Sequence, residues 1–422
     1  MLASLDQLDT KQTVDVVIVG AGMVGASAAI GLAQLGLKVI MVDAFGFTQA
    51  VPEYTPSYDA RSTALSWGTR DILTGLGVWP QVASKACPIT QVHVSEKGRF
   101  GTTRINAEDY NQSAVGYVVP NQWLGHCLLS RVDALNIPVY GAVQVEQIIQ
   151  STPQKIVLAS TTKSEQKQAS TIQTRLLIIA DGTDSNTAKK LGIETATQHY
   201  AQQAIIANVT TELDNHGVAY ERFTKKGPLA MLPLADNTCA VVWTHDQSEV
   251  SNYLEMNDAD FCQAIAENFS ERLGKIEKVG ARASYPLKLI QAKEQCRAGV
   301  LLLGNAAHSL HPVAGQGFNL AIRSVAACVD NVSDCLQQSV AFESLENLAR
   351  LCASRTDDQV KTVALSDQLV KVFGSSSSLV SLGRELGLIA LDNAPILKSF
   401  FAAQAMGLAG KKPKLYSTNN PH

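Results

Sequence analysis

Near the start of the chain, apolar residues form two short runs separated by a longer stretch of small residues. Val14–Val19 is rich in β-branched residues and predicts a buried parallel strand. The Ala-rich stretch Gly25–Leu35 predicts a helix that Gly36 ends as a C-cap. Leu37–Val42 predicts the next strand. Because glycines at turn spacing interrupt this apolar region, it indicates a strand–helix–strand unit rather than one membrane-spanning helix.

Farther along the chain the hydrophobic pattern changes twice. Arg61–Leu76 predicts a helix. From Ala201 to about Pro286, short alternating segments predict an antiparallel sheet, with one helix at Asp258–Phe269 inside that region. Val300–Leu303 again has the character of a buried parallel strand. After Gly315 the chain is predicted to be helical almost to its end, interrupted by a loop at Gly374–Ser378.

These elements predict an α/β fold in which one domain interrupts another. A doubly wound, Rossmann-type nucleotide-binding domain is expected to comprise residues 1–78, 105–190 and 287–345. An inserted, mainly antiparallel β-sheet domain for the substrate is expected to comprise residues 79–104 and 191–286. The chain is expected to end in a C-terminal helical region, residues 346–422.

Composition and charge narrow the class of protein. Apolar residues make up 46% of the 422 residues and charged residues 17%, which is typical of a globular chain. The formal net charge of −3 gives no reason to expect nucleic acid as a partner. None of the eight cysteines forms a C-x-x-C pair and no secretory signal is visible. We therefore expect reduced thiols and a cytoplasmic location.

A glycine fingerprint follows the first predicted strand. In the pattern G-x-G-x-x-G, Gly20 is expected to permit a tight turn and Gly22 to let the backbone approach a pyrophosphate. Gly25 would let the helix pack closely on the strand, and the pyrophosphate would lie at the positive end of that helix. Asp43 ends the second strand at the spacing expected for a ribose ligand. The motif alone does not separate FAD from NAD.

Three later segments extend this pattern. A strand runs into a Gly-Asn pair, a further glycine-rich segment opens a predicted helix, and another strand ends in Asp-Gly. A helix that starts beside a ligand stabilises negative charge on it. The residues concerned are Gly304, Asn305, Gly315, Gln316, Gly317, Asn319, Asp181 and Gly182.

Together these segments resemble the FAD-dependent aromatic hydroxylases of ubiquinone biosynthesis, which belong to the para-hydroxybenzoate hydroxylase-like group A flavoprotein monooxygenases. The resemblance covers nearly the whole chain. It is most specific at residues 221–234, which begin Glu221-Arg222-Phe223-Thr224, and at Tyr285-Pro286-Leu287. There the chain is most similar to hydroxylases of the 2-polyprenyl-6-methoxyphenol type.

The resemblance implies that FAD is the cofactor, with NAD(P)H as a candidate reductant. It identifies the Gly304-Asn305 and Asp181-Gly182 segments as the second and third flavin motifs of the family, although Asn305 stands where most members have Asp. It also implies that Arg61, after Asp59-Ala60, clamps the FAD phosphates. Asn121 and Gln122 match the position of an amide contact to the flavin side chain.

The activity implied is hydroxylation of a polyprenylated methoxyphenol ring by O₂ through a flavin C4a-hydroperoxide. The strand around residues 228–233 would give the prenylated ring an apolar wall, or would only form sheet core. Two alternatives stay open: another FAD-dependent oxidoreductase acting on isoprenoid or aromatic compounds, and a non-catalytic flavoprotein scaffold in a quinone-biosynthesis complex.

The segment that follows Gly304-Asn305 contains candidates for the pocket or the flavin face, namely His308, His311 and Pro312. No side chain is assigned as catalytic. The two histidines lack a third ligand, so no metal site is expected.

The last fifty residues combine apolar positions with basic ones, among them Lys411, Lys412 and Lys414. Such a segment suits peripheral contact with the inner face of a membrane or with proteins of a ubiquinone-biosynthesis complex. It suits packing on the FAD-binding domain equally well.

Overall fold

The computed structural model describes residues 2–3, 13–46, 61–99, 101–151, 154–160, 169–224, 226–309, 316–373, 406–407 and 414. The helices, in chain order, are α1 (Met23–Gln34), α2 (Trp67–Gly75), α3 (Trp79–Val82), α4 (Asn121–Ala134), α5 (Asn186–Lys190), α6 (Val250–Glu255), α7 (Asp258–Phe269), α8 (Gln316–Gln337) and α9 (Leu345–Phe373).

The strands, also in chain order, are β1 (Leu2–Ala3), β2 (Thr13–Val19), β3 (Val39–Val42), β4 (Ser62–Ser66), β5 (Cys87–Ile89), β6 (Gln91–Glu96), β7 (Thr102–Asn106), β8 (Gly116–Pro120), β9 (Val139–Tyr140), β10 (Val143–Ile149), β11 (Gln154–Ser160), β12 (Ala169–Ile179), β13 (Thr195–Thr211), β14 (Val218–Thr224), β15 (Gly227–Pro233), β16 (Thr238–Asp246), β17 (Ile276–Val279), β18 (Ala283–Ala292), β19 (Cys296–Arg297), β20 (Val300–Leu302) and β21 (His308–Ser309).

The first sheet contains the predicted strand–helix–strand unit. Its strands follow the order β1-β9-β3-β2-β12-β11-β10, and β20 pairs with β12 and β19. The pairs β2–β3, β2–β12 and β12–β20 are parallel. Helix α1 connects β2 to β3, as the apolar pattern predicts, but it begins at Met23 with Gly22 as its N-cap. The carboxyl ends of β2, β3, β12 and β20 thus lie at one edge, where ligands bind in open parallel sheets.

The prediction of a helix over Arg61–Leu76 is wrong in its first third. Residues Ser62–Ser66 form β4, which pairs antiparallel with β8 so that Ser62 lies opposite Pro120. The helix α2 begins only at Trp67, after Ser66, whose hydroxyl accepts a hydrogen bond from the backbone N–H of Thr69 at 3.2 Å. Pairing with a strand more than fifty residues away overrides the local helical pattern.

The second sheet is mainly antiparallel, as predicted. Its order is β21-β18-β13-β16-β15-β14-β6-β7, with β17 on β13, and only the β14–β6 pair is parallel. Helix α7 has the predicted bounds and covers one face, where Phe261 packs with the fully buried Trp243. Asn257 caps α7 by accepting a hydrogen bond from the backbone N–H of Asp260 at 2.9 Å. The division of the chain into domains stays a prediction.

The opposite face of the second sheet meets the segment built from β4, β5 and β8. Ala219 on β14 packs there with Val118, Ile105 and Met406, all buried. Met406 is held by its backbone as well, since the N–H of Gly68 donates to its carbonyl oxygen at 2.9 Å. Two points of the C-terminal region therefore contact the body of the molecule, because the backbone N–H of Lys414 also donates to Asp330 of α8 at 2.8 Å, whereas residues 374–405 lie outside the described residues.

Helices α8 and α9 complete the cofactor side of the fold. A Cβ at Gly31 would lie 2.6 Å from a methyl group of Val329, so α8 packs tightly along α1. Arg323 of α8 donates to Asp358 of α9 at 2.8 Å, and Arg355 binds the same carboxylate. These three side chains are largely buried. Among the described residues, no helix is both long and apolar enough to cross a membrane.

Asp358→Asn is expected to lower the free energy of unfolding by about 3–5 kcal/mol, because two buried guanidinium groups would lose their shared counter-ion. Urea unfolding followed by circular dichroism measures this change. The control is Glu346→Gln, which breaks an exposed ion pair with Arg350 and should cost less than about 1 kcal/mol. Equal effects of the two substitutions would contradict the prediction.

The difference in the free energy of unfolding between wild type and Asp358→Asn should depend on pH. Burial raises the pKa of Asp358, but hydrogen bonds and charge from Arg323 and Arg355 outweigh burial and hold that pKa below its usual value. Such a carboxyl stabilises the fold above its unfolded pKa of about 4, and this contribution is lost as pH falls through the folded pKa. Unfolding of wild type and Asp358→Asn should therefore converge only in strong acid.

Candidate functional site

Close backbone packing shapes the loop between β2 and α1. Gly20 has a φ of +103°, and a Cβ added there would lie 2.4 Å from the carbonyl oxygen of Ala180. At Gly25 an added Cβ would lie 1.9 Å from the carbonyl oxygen of Gly20, whereas at Gly22 it would meet no atom within 4 Å. Gly20 and Gly25 therefore close the turn, and Gly22 leaves the start of α1 open to a ligand.

Asp43, at the end of β3, holds this loop from its other side. One carboxylate oxygen accepts a hydrogen bond from the backbone N–H of Ala21 at 2.6 Å, and the other accepts from that of Phe45 at 2.8 Å. Burial raises the pKa of Asp43 despite these bonds, and the nearby charge of Asp181 acts in the same direction. Asp43, which the sequence predicts to bind a ribose, thus also fixes the glycine loop.

The Asp-Gly turn after β12 lies directly against the glycine loop, since a Cβ at Gly20 would lie 2.8 Å from the Cα of Asp181. Oδ2 of Asp181 accepts from the backbone N–H of Thr187 at 3.3 Å, while Oδ1 is buried and has no hydrogen-bond partner among the described residues. Gly182 has a φ of +90° and open space beside it. A buried carboxylate oxygen with no partner is costly, which favours a ligand at this turn.

The second predicted flavin segment lies beside the first. Gly304 follows β20 with a φ of +61°, and a Cβ there would lie 3.1 Å from the side chain of Val24 in the first turn of α1. Asn305 is exposed. The hydroxyl of Thr183 donates to that of Ser309 at 3.3 Å, which connects this segment to the Asp-Gly turn.

The start of α8 is anchored by Asn319. Its side-chain oxygen accepts from the backbone N–H of Ser66 at 2.9 Å and from the hydroxyl of Thr69 at 2.7 Å. Its side-chain N–H₂ donates to the carbonyl oxygen of Ala64 at 2.8 Å. The buried amide therefore positions α8 against β4 and α2.

The other predicted contacts near α8 are only partly described. A Cβ at Gly317 would meet no atom within 4 Å, and Gln316 is half-buried. His311, Pro312 and Gly315 lie outside the described residues, so their predicted roles stay predictions.

Pairing of β4 with β8 brings Arg61, Asn121 and Gln122 together. The backbone N–H of Asn121 donates to the carbonyl oxygen of Arg61 at 2.8 Å, and the side-chain oxygen of Asn121 accepts from the hydroxyl of Thr63 at 2.6 Å. Gln122 is exposed. The guanidinium carbon of Arg61 lies 4.4 Å from the centre of the Tyr285 ring, on the second sheet. Arg61 therefore lies where the two sheets meet.

His308 lies beside α8 and α9. Its buried imidazole lines a narrow cavity together with Ser324 of α8 and Arg355 of α9. Burial and the positive charges of Arg355 and Arg323 together lower the pKa of His308 to about 4, although the charge of Asp358 acts in the opposite direction. The ring faces the helices, and its assignment to the pocket or the flavin face stays a prediction.

The second sheet presents a half-open apolar face toward Arg61 and β8. Ile206, Val242 and Ala230 pair in register across three neighbouring strands on this face, and all three are half-exposed. Leu229 and Met231 alternate with them and are buried against α7. The strand β15, predicted to form either a pocket wall or sheet core, therefore has one face of each kind.

Glu221 is the residue that sequence reasoning missed on this face. It lies opposite Ala230 and continues the row of Ile206, Val242 and Ala230 onto β14. It belongs to the segment that carries the resemblance most specifically, yet no role was predicted for it. The signal was available, because period-two alternation along β14 places one carboxylate on the apolar side.

The described residues fit a dinucleotide with an attached ring system. The open start of α1 at Gly22, the unpaired Oδ1 of Asp181 and the open Gly182 suit a pyrophosphate and its riboses. Among the described residues, no group of three or more His, Cys, Asp and Glu side chains is placed to hold a metal ion.

Comparison with known proteins agrees with this reading of the geometry. The FAD binding domain family matches residues 13–346. Ubiquinone hydroxylase UbiL of Rhodospirillum rubrum is 31% identical over 406 residues, which cover 95% of this chain and 92% of the relative. The 3-demethoxyubiquinol 3-hydroxylase of Escherichia coli is 31% identical over 405 residues, covering 94% and 100%.

The fold is also found among solved structures. That of p-nitrophenol 4-monooxygenase PnpA from Pseudomonas putida DLL-E4 has a TM-score of 0.76 at 15% identity, and the match covers 95% of this chain and 99% of the other. The chain therefore belongs to the family of FAD-dependent aromatic monooxygenases and has the para-hydroxybenzoate hydroxylase-like fold.

Proposed function

We propose that this protein hydroxylates a polyprenylated methoxyphenol ring in ubiquinone biosynthesis, with FAD as its cofactor and O₂ as co-substrate. The observation that carries the proposal is the half-open apolar sheet face of Ile206, Val242 and Ala230, which continues toward Arg61 and the cofactor segments. The relatives named as ubiquinone hydroxylase and 3-demethoxyubiquinol 3-hydroxylase support this pathway.

FAD would be held by the segments that meet at the edge of the first sheet. The start of α1 at Gly22 would bind the pyrophosphate, and Asp43 a ribose. Asp181 would use its unpaired oxygen, and Arg61 would neutralise phosphate charge from the side of the second sheet. The start of α8, at Gln316 and Gly317 and fixed by Asn319, would direct backbone N–H groups at the ring system.

When bound and reduced, FAD supplies the redox chemistry that activates O₂. The protein's own task is to hold the phenol ring beside the flavin and to exclude water. The apolar side chains of the second sheet suit an isoprenoid chain, because burying each CH₂ group contributes about 0.8 kcal/mol. NAD(P)H remains the candidate reductant.

The proposal extends to where the protein works. An isoprenoid substrate resides in a bilayer, and the basic C-terminal residues would place the protein at the inner membrane surface or in a complex of ubiquinone-biosynthesis proteins. Met406, whose side chain packs on the body of the molecule, would not take part in such contact.

Gly22→Val is expected to weaken FAD binding about 10- to 100-fold while the fold stays intact, because the added side chain enters the open space at the start of α1. Titration of the apoprotein with FAD, followed by quenching of flavin fluorescence, measures the change, and circular dichroism checks the fold.

The control for this substitution is Gly280→Val. Gly280 is exposed, and its added Cβ would be 3.5 Å from the carbonyl oxygen of Asn208, an ordinary contact. FAD affinity should be unchanged in that variant. Wild-type affinity in folded Gly22→Val would contradict the assignment of Gly22 to the pyrophosphate site.

The function itself is tested by lipid analysis of cells that lack this protein, with and without its return on a plasmid. We expect a polyprenyl-methoxyphenol to accumulate and to disappear when the protein is restored. Return of Gly22→Val should clear it poorly. Normal ubiquinone with no accumulated phenol would rule out the proposed substrate and leave FAD binding in place.

Membrane contact is tested with the double substitution Lys411→Ser and Lys412→Ser. Each lysine near an anionic surface contributes about 1 kcal/mol, so the partition coefficient onto phosphatidylglycerol vesicles should fall about 10- to 30-fold. Binding to phosphatidylcholine vesicles and the FAD content of the protein serve as controls, and both should be the same in the variant as in wild type. Undiminished co-sedimentation with anionic vesicles would refute membrane contact through these residues.

A further inference from the structure

Glu221 is the most unusual ionisable group on the substrate-facing side of the second sheet. Along β14 its neighbour Tyr220 points toward α7, where its ring lies 5.2 Å from that of Phe269. Ala219 points the other way, into the cluster that contains Val118. Glu221 alternates with Tyr220 and therefore shares the face of Ala219, which meets β4 and β8.

The surroundings of Glu221 on this face are apolar. It lies opposite Ala230 on β15 and Val94 on β6, and the next residue in the row is Val242 on β16. Glu221, Ala230, Val94 and Val242 are each only half-buried, so described side chains do not fully cover this row.

Among the residues that the structure describes, Glu221 has no counter-ion. Across the described part of the chain, its carboxylate takes part in no hydrogen bond or ion pair. The residues that share its face on β15 are Pro228, Ala230 and Leu232, which carry no charge.

The other charged groups of the adjoining strands lie elsewhere. On β6 the titratable residue of this face is Glu96, opposite Phe223 and so one row away. Arg222 and Arg104 lie on the opposite face. There the charge of Arg104 acts on Tyr220 and His93, and the charge of Arg222 acts on His93. Burial alone raises the pKa of Glu221 to about 7.

A purely structural role does not account for this arrangement. A carboxylate placed among apolar side chains without a partner costs free energy, and a residue such as Leu or Gln would fill the position more cheaply. Groups of this kind are concentrated at functional sites, where an unsatisfied acceptor awaits a donor from the ligand. The position of Glu221 between the apolar wall and β8 suits a donor on the aromatic ring of the substrate.

We propose that Glu221 is the residue that binds the phenol hydroxyl of the substrate, accepts its proton and orients the ring along the apolar row of Ala230, Val242 and Ile206. The inference rests on the proposed function, since it takes a phenol as the substrate.

In this step the O–H bond of the phenol breaks, its proton forms a bond to a carboxylate oxygen of Glu221, and the electron pair stays on the ring oxygen. The phenolate donates more electron density to its ring carbons than the phenol does, which favours attack on an electrophilic oxygen. The proton returns to the ring oxygen when the product regains its aromatic ring, so the carboxylate is regenerated. A base that titrates near the working pH suits this transfer.

The test compares four FAD-loaded proteins: wild type, Glu221→Gln, Glu221→Asp and Glu277→Gln. Glu277→Gln makes the same chemical change at an exposed position on β17, away from the apolar face. The probe is 2-methoxy-6-(3-methylbut-2-enyl)phenol. Ultraviolet difference spectra of the oxidised proteins, recorded as a function of pH, report ionisation of the bound phenol without any turnover.

We expect the bound phenol to ionise in wild type at a pH higher by about 1 than in Glu221→Gln, because the negative charge of the neighbouring carboxylate disfavours a second negative charge on the ring oxygen. At neutral pH, kcat/KM for hydroxylation should fall about 100-fold in Glu221→Gln, whereas KM changes less. In wild type kcat/KM should rise as pH increases through about 7, because only the ionised carboxylate accepts a proton. Glu221→Asp should retain this pH limb, and Glu277→Gln should match wild type.

Folding and function can be separated in these variants. If Glu221 is a binding residue rather than a structural one, Glu221→Gln should unfold at the same urea concentration as wild type or at a higher one. A folded, FAD-loaded Glu221→Gln enzyme that ionises the bound phenol as wild type does, with an unchanged pH profile, overturns the inference and leaves the proposed function standing. A wild type that holds FAD but neither binds nor hydroxylates the phenol overturns the proposed function, and the inference with it.

Discussion

The backbone of the glycine loop touches two other pieces of backbone with no side chain between them. The carbonyl oxygen of Ala180, at the end of β12, occupies the space that a Cβ at Gly20 would need, and the carbonyl oxygen of Gly20 occupies the space that a Cβ at Gly25 in α1 would need. This contact aligns β2, β12 and α1 at one edge of the first sheet. It also determines where Asp181 and Asp43 lie, because each is adjacent to the loop. Without it the segments that fit FAD would not meet.

A second constraint connects this edge to the substrate side. Asn319 uses both ends of its side-chain amide to hold α8 against β4 and α2. The strand β4 in turn pairs with β8, which positions Arg61 and Asn121 at the boundary of the second sheet. One buried asparagine and one strand pair therefore help to fix the second sheet relative to the first. A small displacement of Asn319 or of the β4–β8 pair would move the apolar face relative to the cofactor segments.

The buried ionisable groups divide into two kinds with opposite consequences. Asp358 lies between two arginines, and the pair contacts lower its pKa and join α8 to α9. Glu221 has no such partner among the described residues, and burial raises its pKa. The first arrangement serves the fold, since the carboxylate of Asp358 is paired with both guanidinium groups. The second leaves an acceptor available on the face where a phenol would bind, which is why we assign it a chemical role.

The sequence by itself determined the β2–α1–β3 unit, the bounds of α7 and the three glycine-containing segments, because short-range periodicity and the conformational freedom of glycine specify them locally. It did not determine β4, which exists only because β8 pairs with it. Nor did it place His308, whose ring turns toward α8 and α9, or distinguish Glu221 from other surface carboxylates. Those outcomes depend on register and packing between segments far apart in the chain, and only the tertiary structure decides which face of a strand meets a partner.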